Sequence, residues 1–373
     1  MAYTTIDKPT DHFNVVTYTG NATNGRTVTG VGFQPDFNVI KSRGTTDQWF
    51  WQDSVRGASF EVNSNDNQHE QEKTDGVQSF DSDGFTVGNR AVVNGSGFDL
   101  CSWNWLAASS NTVDTSGSVS CTRRTNTTAG FSIAIWDNDQ SSPYSIGHGL
   151  NSAPELVIAR GRATTSLETR EWGVYYTVRG TNTNWATLNT TDAQGANTND
   201  PDALNRANGD AGYTGTFVET SSSLVYISDS SYASTGTEGS FGYFFHSVKG
   251  YSKIGTYTGN SSSDGAFVYL GFKPAFVMIK RLDTAGAWVV YDNKRYPNNL
   301  GTSVILLFNE MGSESLSTDP AGVTSSTNMI DFLSNGFKLR SNNTYTNGSE
   351  DYLYYAIAEN PFVTSTGVPT TAR

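Results

Sequence analysis

Gly32-Phe33-Gln34-Pro35-Asp36-Phe37-Asn38-Val39-Ile40-Lys41 is the stretch whose reading decides the fold, because the chain repeats it. Gly271-Phe272-Lys273-Pro274-Ala275-Phe276-Val277-Met278-Ile279-Lys280 restates it, and Gly149-Leu150 followed by Pro154-Glu155-Leu156-Val157-Ile158-Ala159-Arg160 is a more diverged third copy. The prolines stand 154 − 35 = 119 and 274 − 154 = 120 residues apart, the length of a small domain and far longer than a solenoid repeat. A proline fits the mouth of a strand, where a missing N–H costs least. The run after it is apolar on successive residues, which is the pattern of a strand covered on both faces. In every copy a basic residue six after the proline (Lys41, Arg160, Lys280) closes the run.

Other signals recur in the same register. Each copy opens on an aromatic-led strand, Phe13 to Thr19, Phe131 to Trp136 and Tyr251 to Thr258. Two of these end in Thr-Gly-Asn (Thr19 to Asn21, Thr258 to Asn260), where a positive φ is expected. Trp49, Asp53 and Arg56 are matched by Trp172, Tyr176 and Arg179, and by Trp288, Asp292 and Arg295. Ser82 to Phe85, Ser334 to Phe337, Asn94 to Ser96 and Asn347 to Ser349 carry Asp-Gly or Asn-Gly and predict hairpins. Each copy finishes in an aromatic strand, Cys101 to Trp105, Phe241 to Phe245 and Tyr352 to Ile357.

No helical stripe of any length interrupts this pattern. The fold class read from it is all-β: three tandem β-sandwich domains, jelly-roll or concanavalin-like, from an internal triplication. Their limits are 1–108, 131–250 and 251–373, and the Ser/Thr/Gly-rich residues 109–130 read as a flexible linker. The short junction His246–Gly250 predicts that copies 2 and 3 pack together while copy 1 moves more freely. Asn63–Gly76, Thr190–Gly215 and Asn309–Asn328 are polar, differ most between copies, and read as surface loops.

A net charge of 24 − 36 = −12 argues against nucleic acid, which wants a basic face. No apolar run approaches the ~20 residues that span a bilayer, and no signal peptide opens the chain, so synthesis in a cytoplasm without membrane insertion is expected. Cys101 reads as a buried thiol and Cys121 as an exposed one, a reading preferred to a disulfide.

The candidate site residues were weighed against their structural roles. An Asp beside a Trp could be a glycosidase acid, yet Tyr176 replaces the Asp in copy 2. A turn in which Asp53 and Arg56 pair while Trp49 packs inward is therefore preferred. Trp51 and Trp103 are copy-specific and remain ligand-binding candidates by sugar stacking, although their apolar strands favour the core. Asp137 and Asp139, with Asp192, Asp200 and Asp202, could hold calcium through oxygen ligands, but a polar turn is preferred and no cofactor is expected. His69-Glu70-Gln71-Glu72 lacks the second histidine of a zinc protease helix. Gly30-Val31-Gly32 lacks the third glycine of a dinucleotide fingerprint. No catalytic residue is assigned.

Taken together, Met1 to Asp7, the Gly-Phe-x-Pro-Asp-Phe-x-x-Ile-Lys block, Asp53 to Gly57, Ser82 to Phe85, Trp103-Asn104-Trp105 and Gly367-Val368-Pro369 with Ala372-Arg373 resemble a repeat of marine tailed phages. The proteins that carry it are virion structural or tail-fibre-like, of the cyanophage and pelagiphage type, and the repeat is loosely similar to concanavalin-like sandwiches. The resemblance implies a virion location, and the lack of a nucleophile, acid–base pair or phosphate cradle in the sequence makes no enzyme activity the expectation. It makes a tail fibre or appendage contacting the host surface the leading expectation. A head decoration or tail-attached architectural protein is the alternative, and a polysaccharide-degrading tail enzyme a second. Other virion proteins, a host surface glycan or protein, and further copies of the chain in a homo-oligomer (a trimer favoured) are the expected partners.

Overall fold

The computed structural model describes residues 3–137, 144–162, 171–178, 184–194, 218–227, 239–295, 305–314 and 329–370, and over these the chain is all-β. After a single 3-10 turn at Pro9–Asp11, the first third holds β1 (Phe13–Thr19), β2 (Arg26–Thr29), β3 (Phe37–Ser42), β4 (Phe50–Asp53) and β5 (Gly57–Asn63). It continues with β6 (Gln71–Glu72), β7 (Val77–Asp81), β8 (Gly84–Val87), the one-turn helix α1 (Ala91–Asn94) and β9 (Asp99–Trp105). The middle third holds β10 (Thr112–Asp114), β11 (Cys121–Asn126), β12 (Phe131–Trp136), β13 (Tyr144–Gly147) and β14 (Leu156–Gly161). There follow β15 (Gly173–Tyr176), β16 (Asn184–Thr187), β17 (Val218–Thr220), β18 (Leu224–Ile227) and β19 (Ser240–Phe245). The last third holds β20 (Ser252–Thr258), β21 (Phe267–Tyr269), β22 (Phe272–Arg281), β23 (Trp288–Asp292) and β24 (Leu306–Leu307). It ends with β25 (Ile330–Leu333), β26 (Gly336–Leu339), α2 (Thr344–Asn347) and β27 (Asp351–Pro361).

One antiparallel strand order occurs three times. The large sheets run β1-β9-β3-β4-β5, β12-β19-β14-β15-β16 and β20-β27-β22-β23-β24, the first extended by β6 and the second by β11 and β10. The small sheets run β2-β8-β7, β13-β18-β17 and β21-β26-β25. In each third the proline-led strand lies between the last strand and the one that begins at or just after the shared Trp. Pro35 and Pro154 precede their strands, whereas Pro274 sits inside β22 at a register shift, a position where a missing donor is tolerated.

Strand alternation explains the unbroken apolar runs. Phe37 and Val39, Leu156 and Ile158, and Phe276 and Met278 point into one central cluster built from all three thirds. Their neighbours Ile40, Val157 with Ala159, and Val277 with Ile279 point the other way, into three separate clusters. Each of those lies between a large sheet and its own small sheet: Ile40, Phe50 and Leu100 meet Val28, Phe85 and Val87 in the first third. Every large sheet is thus covered on both faces, by its small sheet outside and by the other two large sheets inside.

Several expectations need correction. Residues 109–130 are not a free linker, because β10 and β11 pair with each other and then with β12, so the segment is the edge of the second large sheet. Cys121 is buried, as is Cys101, and both thiols are free. Gly20 and Gly259 do not carry the positive φ; Ala22 at 56° and Ser261 at 52° do. Glycine is needed at 20 and 259 by close approach instead, since a Cβ there would lie 2.0 Å from the carbonyl oxygens of Gly95 and Gly348. The Asn-Gly pairs that create this approach are not hairpins but the ends of α1 and α2. Their buried asparagines, Asn94 and Asn347, accept from the N–H of Asn21 and Asn260 and donate to Gly88 O and Ser341 O. Asp-Gly at 83–84 and Asn-Gly at 335–336 do form the hairpins β7–β8 and β25–β26.

Candidate functional site

The residues shared by all three copies converge on three joints between the thirds. Trp49 Nε1 donates to Leu307 O (2.8 Å) and Glu310 O (3.1 Å) of the last third. Trp172 Nε1 donates to Asn63 O (2.7 Å) of the first, and Trp288 Nε1 to Thr187 O (2.9 Å) of the middle. The direction is cyclic, 1 to 3, 3 to 2, 2 to 1, so the contacts close on themselves within one chain. An asparagine fixes each Trp from behind: Asn65, Asn189 and Asn309 accept from the backbone N–H of Trp49, Trp172 and Trp288.

A backbone bond repeats at each joint. Glu70 N–H donates to Arg162 O (3.0 Å), Glu314 N–H to Arg43 O (2.8 Å) and Gln194 N–H to Leu282 O (2.8 Å). Arg43, Arg162 and Leu282 all stand eight residues after the block proline. The side chains follow the backbone. Arg43 Nε donates to both oxygens of Glu314 (2.8 and 2.9 Å) and Arg162 to Glu70, but Leu282 faces Gln194. Where the arginine is lost, the opposing carboxylate is lost with it. A buried carboxylate without its cation would be costly.

Asp53 and Arg56 complete the first of these networks. Asp53 Oδ1 accepts from the backbone N–H of Val55 and Arg56, and its Oδ2 accepts from Arg56 Nε at 2.5 Å. Arg56 Nη1 then reaches Glu70 (2.9 Å), and its guanidinium lies 4.2 Å from the ring centroid of Phe241 in the middle third. Tyr243 OH donates to Asp53 Oδ2 at 3.0 Å. Asp292, Arg295 and Glu314 repeat the arrangement, with Trp103 Nε1 donating to Asp292 Oδ2 (3.2 Å) in place of Tyr243. In the middle third Tyr176 stands for the aspartate and donates to Gln194, while Arg179 lies outside the described residues.

Burial sets the electrostatics. It would raise the Glu70 carboxyl, but Arg56 and Arg162 outweigh it and hold the group below the usual range. Burial works against the Arg56 and Arg295 charges, yet Asp53 and Asp292 keep both firmly protonated. The three block cations donate instead to backbone carbonyls. Burial pushes Lys280 down to about 7, with Arg281 adding to it, and Lys41 to about 8. Lys280 Nζ donates to Gly286 O (2.6 Å) and across the joint to Thr191 O (3.2 Å). Arg160 Nη2 likewise crosses to Gln68 O (2.6 Å).

The ligand-binding candidates are placed as follows. Trp51 is 2% exposed and packs between Phe37, Trp172, Tyr243 and Phe308; Trp103 is fully buried against Trp49. Both are central-core residues with no face open to a ligand. Asp137 is exposed, Asp192 accepts from Thr190 Oγ1, and Asp139, Asp200 and Asp202 lie outside the described residues. Asn63–Gly76 is not a free surface loop: Asn63, Ser64 and Glu70 are buried in a joint, with Ser64 Oγ donating to Phe308 O (2.8 Å). Most of Thr190–Gly215 and most of Asn309–Asn328 lie outside the described residues.

Sequence reasoning missed Asn65, Asn189 and Asn309, the Glu70/Gln194/Glu314 position, and the Arg43/Arg162/Leu282 position. The last was legible as a continuation of the block alignment by two residues. The first two stand five residues apart in every copy but at unequal distances from the shared Trp, because the loop before them differs in length.

These joints define a class of protein: an all-β chain in which three sheet pairs of one strand order close on one another around a shared core. The chain belongs to the family described as "Domain of unknown function (DUF7483)", whose profile matches residues 8–361 and so spans all three sheet pairs at once. No curated protein and no solved structure matches it.

Proposed function

We propose that this chain is a non-enzymatic structural protein of a phage virion, an appendage or tail-fibre protein that contacts the host surface. In this reading it is built of three sandwich units, jelly-roll or concanavalin-like, descended from one triplicated unit. One observation carries the non-enzymatic part. The positions that all copies share end in the interior, where the Trp indoles bind the neighbouring third and the Asp–Arg pairs are sealed from solvent. The virion part rests on the resemblance of the repeat to marine phage proteins.

A polysaccharide-degrading enzyme would need two carboxylates facing a cleft. Asp53 and Asp292, the carboxylates nearest that role, have no exposed surface and are held by separate arginines. An architectural place on the head or tail is the second reading. It is favoured by the Asn63–Gly76 loop, which joins two thirds of the same chain and so leaves less variable surface for a receptor.

Antibody labelling of intact particles, imaged by electron microscopy, tests the proposal. Label at the tail tip or along an appendage is the expected result. Label spread over the head would move the protein to the architectural reading, and particles that lack the chain would overturn the virion role.

A further inference from the structure

The three copies provide an internal standard for function. A position that is alike in all of them serves the scaffold, so an exposed position that departs in one copy is where a copy-specific role belongs. The outermost strand of each small sheet supplies such a contrast. Val28, Ile146 and Val268 are its buried middle residues in the three thirds, equivalent by their pairing to Phe85, Val225 and Phe337. The residues on either side point outward. They are Thr27 and Thr29 in the first third and Ser145 and Gly147 in the middle, where Ser118 and Val119 cover the strand by bonding to Ser145. In the last third they are Phe267 and Tyr269, 46% and 53% exposed. Two rings on one face of a strand, two residues apart, stand about 7 Å from each other.

Beside this aromatic shelf lies a cleft of about 490 Å³, lined by N-terminal residues and by the end of the middle third. Tyr3 is the hinge between them: its hydroxyl donates to Gly271 O (2.6 Å) beside Tyr269, and its ring forms one wall of the cleft. Thr5, Thr127, Asn151, His246 and Lys249 line the rest. His246 Nε2 and Asn151 Oδ1 lie 3.1 Å apart, and Lys249 Nζ stands 5.0 Å from the Tyr3 ring centroid. Lys253 Nζ lies 5.7 Å from the Tyr269 ring centroid at the other end. The volume is that of a small-molecule site, and the lining mixes hydroxyl and amide groups with apolar carbon, with the Tyr3 side chain at one side.

We propose that the cleft and shelf together bind an extended oligosaccharide. Its hydroxyls are taken by the threonines, Asn151 and Lys249, and its C–H faces stack on Tyr3, Tyr269 and Phe267. A sugar ring is polar at its edge and apolar on its face, which matches a cleft of mixed polar and apolar lining beside exposed rings; a flat ring attracts C–H groups through its negative face. The inference rests on the host-contact reading above and narrows it to one chemistry and one corner of the molecule.

The test uses the full chain on a printed array of bacterial O-antigen and exopolysaccharide oligosaccharides. Any hit is followed by titration calorimetry and by saturation-transfer NMR from the tyrosine rings. The wild type binds at least one saccharide, with transfer to its C–H protons. Tyr269→Ala or Phe267→Ala weakens that binding roughly tenfold, as expected for loss of a stacking ring. Lys249→Ala weakens it less, and Thr29→Ala, at the matching place in the first third, leaves it unchanged. All four residues lie on the surface, and an unchanged melting temperature confirms that each variant folds. Absence of binding to every saccharide, or binding that Tyr269→Ala leaves intact, overturns the inference. Label on the particle with no saccharide binding defeats this inference alone, whereas absence of the chain from the particle defeats the virion reading.

Discussion

At the residue scale the most telling pair is one that the third joint lacks. Arg162 meets Glu70 and Arg43 meets Glu314, but Leu282 meets Gln194. The two sides of the joint have changed together, so the charges are optional as a pair and obligatory as individuals. Glu70→Gln alone should cost about 3 kcal/mol, since it leaves the buried Arg56 and the partly exposed Arg162 beside a neutral group. Arg162→Leu combined with Glu70→Gln imports the third joint's chemistry and should recover about 1–3 kcal/mol of the summed losses. Urea denaturation of the two single variants and the double gives the coupling directly, and strict additivity would contradict it. Lys280 gives a second residue-scale expectation. Its folded value near 7 lies below the unfolded value near 10.4, so between those limits the unfolded chain holds a proton that the folded chain does not. Stability therefore rises with pH above 7 and is lost as pH falls through 7. Lys41, at about 8, acts in the same sense. The urea midpoint should be higher at pH 8.5 than at pH 6.5, and Lys280→Met should flatten that slope; an unchanged slope would show that Lys280 does not titrate there.

At the element scale the strands were legible and the connections were not. β1 and β12 have the bounds their aromatic-led alternation predicts, and the block strands β3, β14 and β22 begin close to their prolines. Residues 109–130 were misread because composition stood in for pattern. Ser, Thr and Asn are as suited to an edge strand half open to water as to a linker, and Cys121, Arg123 and Thr125 alternate on one face. Amide exchange checks this element: Cys121–Asn126 should be protected to the level of β12, while a true linker would exchange at once. Asn94-Gly95 and Asn347-Gly348 failed as hairpin signals for a related reason. A buried asparagine that satisfies three backbone groups has the same two-letter signature as a turn, and only tertiary contact separates them.

At the scale of the whole molecule, the period near 120 residues announced three similar units, and their mutual arrangement was hidden. A strand covered on both faces was readable from Phe37–Ile40, but not what covers it. The inner cover proves to be the other two large sheets, so Phe37, Ile158 and Met278 belong to one core while Ile40, Val157 and Ile279 belong to three. The candidate site was legible as a set of recurring residues and misleading as chemistry. A Trp beside an Asp and an Arg is the vocabulary of a sugar site, yet here it binds one third of the chain to the next. The bottom-up reason lies in the cyclic direction of the bonds: a unit that presents Trp on one flank and a backbone carbonyl on the other closes when three copies turn through a full circle. Separate sandwiches on a string would unfold one by one, whereas thirds that share a core cannot lose one member without exposing the rest. Differential scanning calorimetry of the full chain tests this most directly. One transition, with a calorimetric enthalpy equal to the van't Hoff value, is the predicted result; two or three resolved transitions, or an enthalpy ratio near three, would contradict it.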